Sequence, residues 1–123
     1  MTTIERPKLA GMRRLWLAFG NSWKGFRGAF RNEAAFRQEV ALAVVLLPLG
    51  AWLGQTRVEK ALLVSSVLLV LIVELLNTCI ETVVDRIGLE RHELSGLAKD
   101  VGSTAVLLSF GVLVVIWGFL LLG

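Results

Sequence analysis

The sequence predicts an all-α integral membrane protein, with three transmembrane helices preceded by an amphipathic helix on the membrane surface. Three observations lead there. Hydrophobic residues make up 55% of the chain and the mean hydropathy is +0.71, too apolar for a soluble domain of this size. Apolar stretches able to cross about 30 Å of hydrocarbon recur three times. The charge is lopsided: of thirteen basic residues, eight (Arg6, Lys8, Arg13, Arg14, Lys24, Arg27, Arg31, Arg37) precede the first apolar run. With 123 residues the chain is a single domain, and with no tyrosine and only two prolines it suggests neither a sheet nor a Pro-rich linker.

Residues 1–8 are polar and stay outside the first helix. From about 9 to 32, Met12, Trp16, Phe19, Trp23, Phe26 and Phe30 fall within roughly an 80° arc at helical spacing, flanked by Arg13, Lys24, Arg27 and Arg31. Aromatics on one side with Lys and Arg at the edges describe an interfacial helix. Gly20, Gly25 and Gly28 weaken it and predict a bend. The first span covers about 36–54. Its apolar part, Val40 to Leu53, is short and carries Pro48, so it recruits Phe36 to Glu39 to cross the bilayer. Ahead of it, Glu33 and Arg37 have the i,i+4 spacing of a surface ion pair.

Gln55 to Lys60 reads as a polar turn, and the second span covers about 58–86. Residues 87–98 read as a loop in which Ser95 is a candidate helix cap, weakened by Gly96 behind it. The third span covers about 98–122. No cleavable signal peptide is expected, because the first apolar run starts only near Val40. The arm and the 87–98 region (Arg86, Arg91, Lys99) hold eleven basic residues against two (Arg57, Lys60) in the first loop. The positive-inside rule then puts the N-terminus and the second loop in the cytoplasm. Beside a membrane domain, the basic arm is expected to meet anionic lipid headgroups, not nucleic acid.

The second span carries an anomaly. Glu74, Asn77, Glu81 and Asp85 fall at roughly 0°, 300°, 340° and 20° around the helix, one polar stripe on an apolar rod. A carboxylate deep in a bilayer costs about 2.5–3.5 kcal/mol on insertion scales, which makes such residues candidates for function. Three spans are not expected to shield the stripe from lipid, so oligomerisation is expected to turn it toward protein or water. Cys79, the single cysteine, reads as a small packing residue.

No nucleotide-binding glycine loop, soluble-kinase catalytic set, Ser/His/Asp arrangement or Cys/His zinc pattern is present. What remains is a cytoplasmic interface rich in carboxylates. Glu33 and Glu81 suit Mg²⁺, which takes oxygen ligands and usually holds substrate phosphates as well. Lys99 and Arg14 can meet phosphate charge. Glu74, set deeper, is a candidate proton acceptor. On these residues alone a membrane enzyme and a small proton-coupled transporter both stay open.

Three segments carry a resemblance: Asn32-Glu33-Ala34-Ala35-Phe36-Arg37-Gln38-Glu39; Glu74 through Asn77, Glu81 and Asp85 to Arg86; and His92-Glu93-Leu94-Ser95-Gly96 with Ala98-Lys99-Asp100-Val101-Gly102-Ser103. They resemble the prokaryotic diacylglycerol kinase family, from about Arg14 into the third span. The resemblance implies a homotrimer in the bacterial inner membrane, with active sites between subunits at the cytoplasmic interface. These would transfer the γ-phosphoryl of Mg-ATP to a lipid hydroxyl. Carried over by motif, Glu74 would be the general base, Glu33 and Glu81 the Mg²⁺ ligands. Arg14, Asn21, Glu90, Arg91, His92, Lys99 and Asp100 would border ATP, together with Glu33 and Glu81. Arg14, Ser22, Trp23, Arg27, Phe30 and Ser103 would border the lipid with Glu33 and Glu74, while Asn77 and Asp85 would support. The chain departs from the family pattern at Asn21, where an aromatic is usual, and at Leu97, where arginine is. The first puts a stacking contact with adenine in doubt, and the second removes a phosphate partner. Relatives that phosphorylate undecaprenol share the Glu74–Asp85 and Ala98–Asp100 patterns. The Glu33–Glu39 form, approached through Trp23-Lys24-Gly25, favours the diacylglycerol branch.

Overall fold

The computed structural model describes residues 10–123, and the readings made for residues 1–8 and Leu9 lie outside them. The described residues form four helices: α1 (Gly11–Asn32), α2 (Ala34–Leu53), α3 (Arg57–Ile87) and α4 (Glu93–Leu122). The last three are long and apolar enough to cross a membrane. At 1.5 Å per residue, the 20 residues of α2 cover about 30 Å, the hydrocarbon and no more. The 31 residues of α3 and 30 of α4 overshoot by roughly 15 Å. Polar residues crowd the end of α3 and the start of α4.

Boundaries differ from expectation where side chains cap helix ends. α4 begins at Glu93, about five residues ahead of the predicted start, so only Gly88 to His92 separate it from α3. The cap is His92, whose Nδ1 accepts from Leu94 N–H at 3.1 Å. Ser95 lies inside the helix. A ring nitrogen that satisfies a free N–H in the first turn takes the role expected of the serine hydroxyl. The first loop is shorter too. Thr56 Oγ1 accepts from Glu59 N–H at 3.1 Å, and Glu59 Oε2 accepts from Thr56 N–H at 2.9 Å. This capping box starts α3 at Arg57, inside the predicted turn.

α1 runs through Gly20, Gly25 and Gly28 without a break in helical assignment. A single extended residue, Glu33, joins it to α2. Arg37 does not pair with Glu33; its guanidinium donates to the carbonyls of Phe30 (2.8 Å) and Arg31 (2.9 Å), tying the end of α1 to the start of α2. Below that tie, Phe36 is 1% exposed and meets Phe26 edge-on at 5.4 Å.

α3 is the central helix, packed on both α2 and α4. Ala43, Val67, Val70 and Leu113 form the core, with Leu46, Leu47, Leu71, Phe110 and Trp117 against it. Lipid is as apolar as these side chains, so close packing and hydrogen bonds hold such helices together. Both occur at Trp117, whose Nε1 donates to Leu63 O (3.2 Å) and Ser66 Oγ (3.0 Å). Gly50 makes the room: a Cβ there would lie 3.1 Å from Leu63 Cβ and 3.3 Å from the Trp117 ring. Gly50→Val is therefore expected to overpack this three-helix contact and cost about 1–3 kcal/mol. Thermal unfolding in detergent measures it, and an unchanged midpoint would contradict this account of the contact.

Candidate active site

The polar residues form two tiers at the N-terminal end of α2 and the C-terminal end of α3. Glu33 and Glu81, both half-buried, make the upper tier. Counting along the helices, Glu39 lies about 9 Å below Glu33, and Glu74 about 10 Å below Glu81. Glu74 is 5% exposed and Glu39 9%, and their carboxyl groups face each other within hydrogen-bonding reach. Glu33 and Glu81 stand near enough for their charges to act on Glu74. Four carboxyl groups, from α2, α3 and the joint ahead of α2, thus line one stretch of the seam between α2 and α3.

This burial corrects one expectation. A single chain already shields the deep half of the stripe, since Glu74 and Asn77 (7% exposed) are both covered without a second subunit. The reason is that α2 brings Glu39 against Glu74, while α4 lies against Asn77 at Gly102. Oligomerisation is not needed to shield these two residues.

Asn77 and Asp85 acquire partners. Asn77 Nδ2 donates to Glu81 Oε1 at 3.2 Å, across one helical turn. Asp85 accepts from Lys99 Nζ at 2.9 Å, the only ion pair among the described residues. Lysine has three N–H donors and Asp85 engages one, leaving two without a partner among the described residues. Asp100 is exposed on the same helix, as are Ser103 and Leu97. Glu90 and Arg91 are exposed in the short loop before His92, whose Nδ1 is taken up by the cap.

Between α1 and α3 lies a cleft of about 960 Å³. Phe19, Ser22, Trp23, Phe26 and Glu33 line one side, and Leu75, Thr78, Cys79 and Thr82 the other. It is a mostly apolar trough with Glu33 at its edge. Arg27 and Phe30 line a smaller neighbouring cleft with Trp23 and Val40. The rings of Trp23, Phe26 and Phe30 stack in sequence at 6.0 and 6.1 Å. Ser22 donates its hydroxyl hydrogen to Ala18 O at 2.8 Å, leaving only acceptor capacity. Cys79 is exposed in the cleft wall, not packed in the interior as expected. The turn between Leu75 and Cys79 faces α1, so a small side chain there opens the trough.

Two sets of residues stay apart. Glu74 is not among the residues lining the large cleft. Arg14 and Asn21 are exposed on α1, about 28 Å and 18 Å along it from Glu33. One chain does not bring Arg14 to the carboxylate cluster. Glu39, conversely, is a buried carboxylate that no reading of one helix at a time singled out. Its Oε2 has no hydrogen-bond partner among the described residues. The available signal was the period: Glu39 lies three and six positions from Phe36 and Glu33, on the face that Phe36 buries.

Among the described residues no three His, Cys, Asp or Glu side chains are arranged to cage a metal ion. The oxygen chemistry of Glu33 and Glu81 is of the kind Mg²⁺ takes, since that ion accepts one or two carboxylates from a protein and fills its shell with phosphate and water.

A family model for prokaryotic diacylglycerol kinase matches residues 20–121. The chain is similar to the diacylglycerol kinase of Escherichia coli (strain K12), 53% identical over 111 residues, 90% of this chain and 91% of the relative. Its identity to the Haemophilus influenzae diacylglycerol kinase is 50% over 114 residues, covering 93% of this chain and 97% of the relative. For the Pseudomonas aeruginosa diacylglycerol kinase it is 52% over 113 residues, covering 92% of each.

Proposed function

This chain belongs to the prokaryotic diacylglycerol kinase family, and from that membership we infer a diacylglycerol kinase that transfers the γ-phosphoryl of ATP to the lipid hydroxyl, forming phosphatidic acid. Membership sets aside the proton-coupled transporter. The observation that carries the reading is the two-tier carboxylate cluster at the end of an apolar bundle. ATP is water-soluble and the acceptor is confined to the bilayer, so the reaction needs a polar site at membrane depth.

In this mechanism Glu33 and Glu81 would hold Mg²⁺, which would supply charge neutralisation for the phosphates of the nucleotide. Lys99, steadied by Asp85, directs its two remaining N–H groups at phosphate oxygens. Arg91, His92, Glu90 and Asp100 border the nucleotide from the loop and the first turns of α4. Glu74 accepts the proton of the lipid hydroxyl as its oxygen bonds to phosphorus and ADP departs. Phosphoryl transfer depends mainly on positioning and charge stabilisation, so a helical membrane scaffold suffices. The trough between α1 and α3 receives the acyl chains, with Trp23 and Ser22 in its wall and Phe30 and Arg27 beside it; Ser103 borders the lipid from α4.

Arg14 and Asn21 enter the nucleotide site from a neighbouring subunit of a homotrimer. The roughly 28 Å between Arg14 and Glu33 along one helix supports this, since a single chain leaves the set open. The uncovered Met12, Trp16, Phe19 and Trp23 of α1 support an amphipathic helix lying in the headgroups of the inner membrane, N-terminus in the cytoplasm.

The test is phosphorylation from radiolabelled ATP in mixed micelles holding diacylglycerol or undecaprenol, with and without Mg²⁺. Label is expected in phosphatidic acid, only with Mg²⁺, and at most weakly in undecaprenyl phosphate. Preferential labelling of undecaprenol would overturn the acceptor assignment, and labelling of neither would overturn the lipid-kinase reading.

A further inference from the structure

Gly102 belongs to the Ala98–Ser103 segment and is the point at which α4 lies against Asn77. It is buried on the face of α4 that meets the polar stripe. A Cβ at this position would overlap Asn77 Oδ1 and lie 3.3 Å from Asn77 Cγ. The Asn77 amide is constrained on both sides. Its Nδ2 is committed to Glu81 Oε1, which turns Oδ1 toward Gly102, where it is buried with no hydrogen-bond partner among the described residues. Reversing the amide would set its oxygen against the Glu81 carboxylate, acceptor against acceptor. The orientation that serves Glu81 therefore requires empty space at position 102. A buried acceptor left unpaired is unfavourable, and a fold that keeps one does so here where the same amide orients a carboxylate.

We propose that Gly102 is a positioning residue for the kinase reaction: by carrying no side chain it admits the Asn77 amide against α4, and Asn77 thereby holds the Glu81 carboxylate in place for nucleotide-bound Mg²⁺. The proposal rests on the reading of Glu81 as a metal ligand. Gly102 touches neither metal nor nucleotide and acts only through the amide. Outer partners that orient a metal ligand typically govern 10- to 100-fold in metal affinity or activity, which sets the expected size of the effect.

The experiment measures binding of Mn²⁺ with a non-hydrolysable ATP analogue by electron paramagnetic resonance, beside KM for Mg-ATP and for diacylglycerol, in Gly102→Ala, Asn77→Ala, their double variant and Glu81→Gln. Gly102→Ala is expected to weaken Mn²⁺–analogue binding and raise KM for Mg-ATP about 10- to 100-fold, with KM for diacylglycerol unchanged. Asn77→Ala should match it, and the double variant should be no worse than Asn77→Ala, because the amide that the added methyl displaces is already gone. If Gly102→Ala does not fold, the double variant should recover folding with the affinity of Asn77→Ala. Additive losses, or a double variant that still fails to fold, would overturn the proposal by showing that the added methyl collides elsewhere. So would normal binding in Gly102→Ala while Glu81→Gln is impaired. Normal binding in Glu81→Gln would overturn the metal-ligand reading itself and the proposal with it.

Discussion

Glu74→Gln is expected to abolish measurable turnover while leaving the folded protein at least as stable as before. The amide keeps the shape of the carboxylate and removes its basicity. A positioned general base contributes about 10²–10⁴-fold, so kcat should fall by at least about 100-fold, with KM for Mg-ATP little changed. Stability should move the other way. Glu74 and Glu39 face each other almost wholly covered, and Glu39 Oε2 has no partner among the described residues. A glutamine amide can donate to the facing Glu39 carboxylate, whereas an ionised Glu74 cannot. Satisfying one buried acceptor contributes about 1–2 kcal/mol, a visible rise in the midpoint of thermal unfolding in detergent. An inactive and stabilised protein is the mark of a group kept for chemistry at the expense of stability. Near-normal activity in Glu74→Gln would remove the general-base assignment.

Glu33→Gln and Glu81→Gln are expected to raise the Mg²⁺ concentration for half-maximal activity, each by at least about 10- to 100-fold. That is the loss typical for removing even an outer partner of a metal ligand. Both side chains are half-buried and belong to the upper tier, so each substitution removes one of only two carboxylates for the ion. Excess Mg²⁺ should recover part of the rate, which separates a lost ligand from a lost fold. The check is a Mg²⁺ titration at fixed ATP. An unchanged Mg²⁺ requirement in both variants would mean that the ion is held elsewhere. Glu74→Gln should show no such recovery, because its deficit is a missing proton acceptor.

Much of this site is legible along single helices. Glu74, Asn77, Glu81 and Asp85 share one face because of the helical period alone, and Glu74 and Asn77 are indeed the polar residues that α3 buries with Ser66. The three spans follow from apolar length, with ends correct to a few residues except at α4. There a histidine ring nitrogen replaced the hydroxyl that a cap search favours. The Thr56–Glu59 capping box was also written plainly in the sequence, and it outweighed the polar character that made the segment look like a turn.

Relations between helices were not legible in this way. Glu39 faces Glu74 because α2 and α3 pack at one particular rotation and depth. Lys99 reaches Asp85 across a loop, 14 positions away. Arg37 directs its charge at carbonyls of α1 instead of at Glu33. The pattern of each helix specifies which residues share a face and how long an apolar rod must be, because those properties depend on backbone geometry alone. By itself, the sequence determined a membrane bundle with a polar stripe at one end of its second span. Only the tertiary structure decided what that stripe meets. Interhelical distance, rotation and register are set by small contacts such as the missing side chains at Gly50 and Gly102, and a contact between two helices has no periodicity in either one.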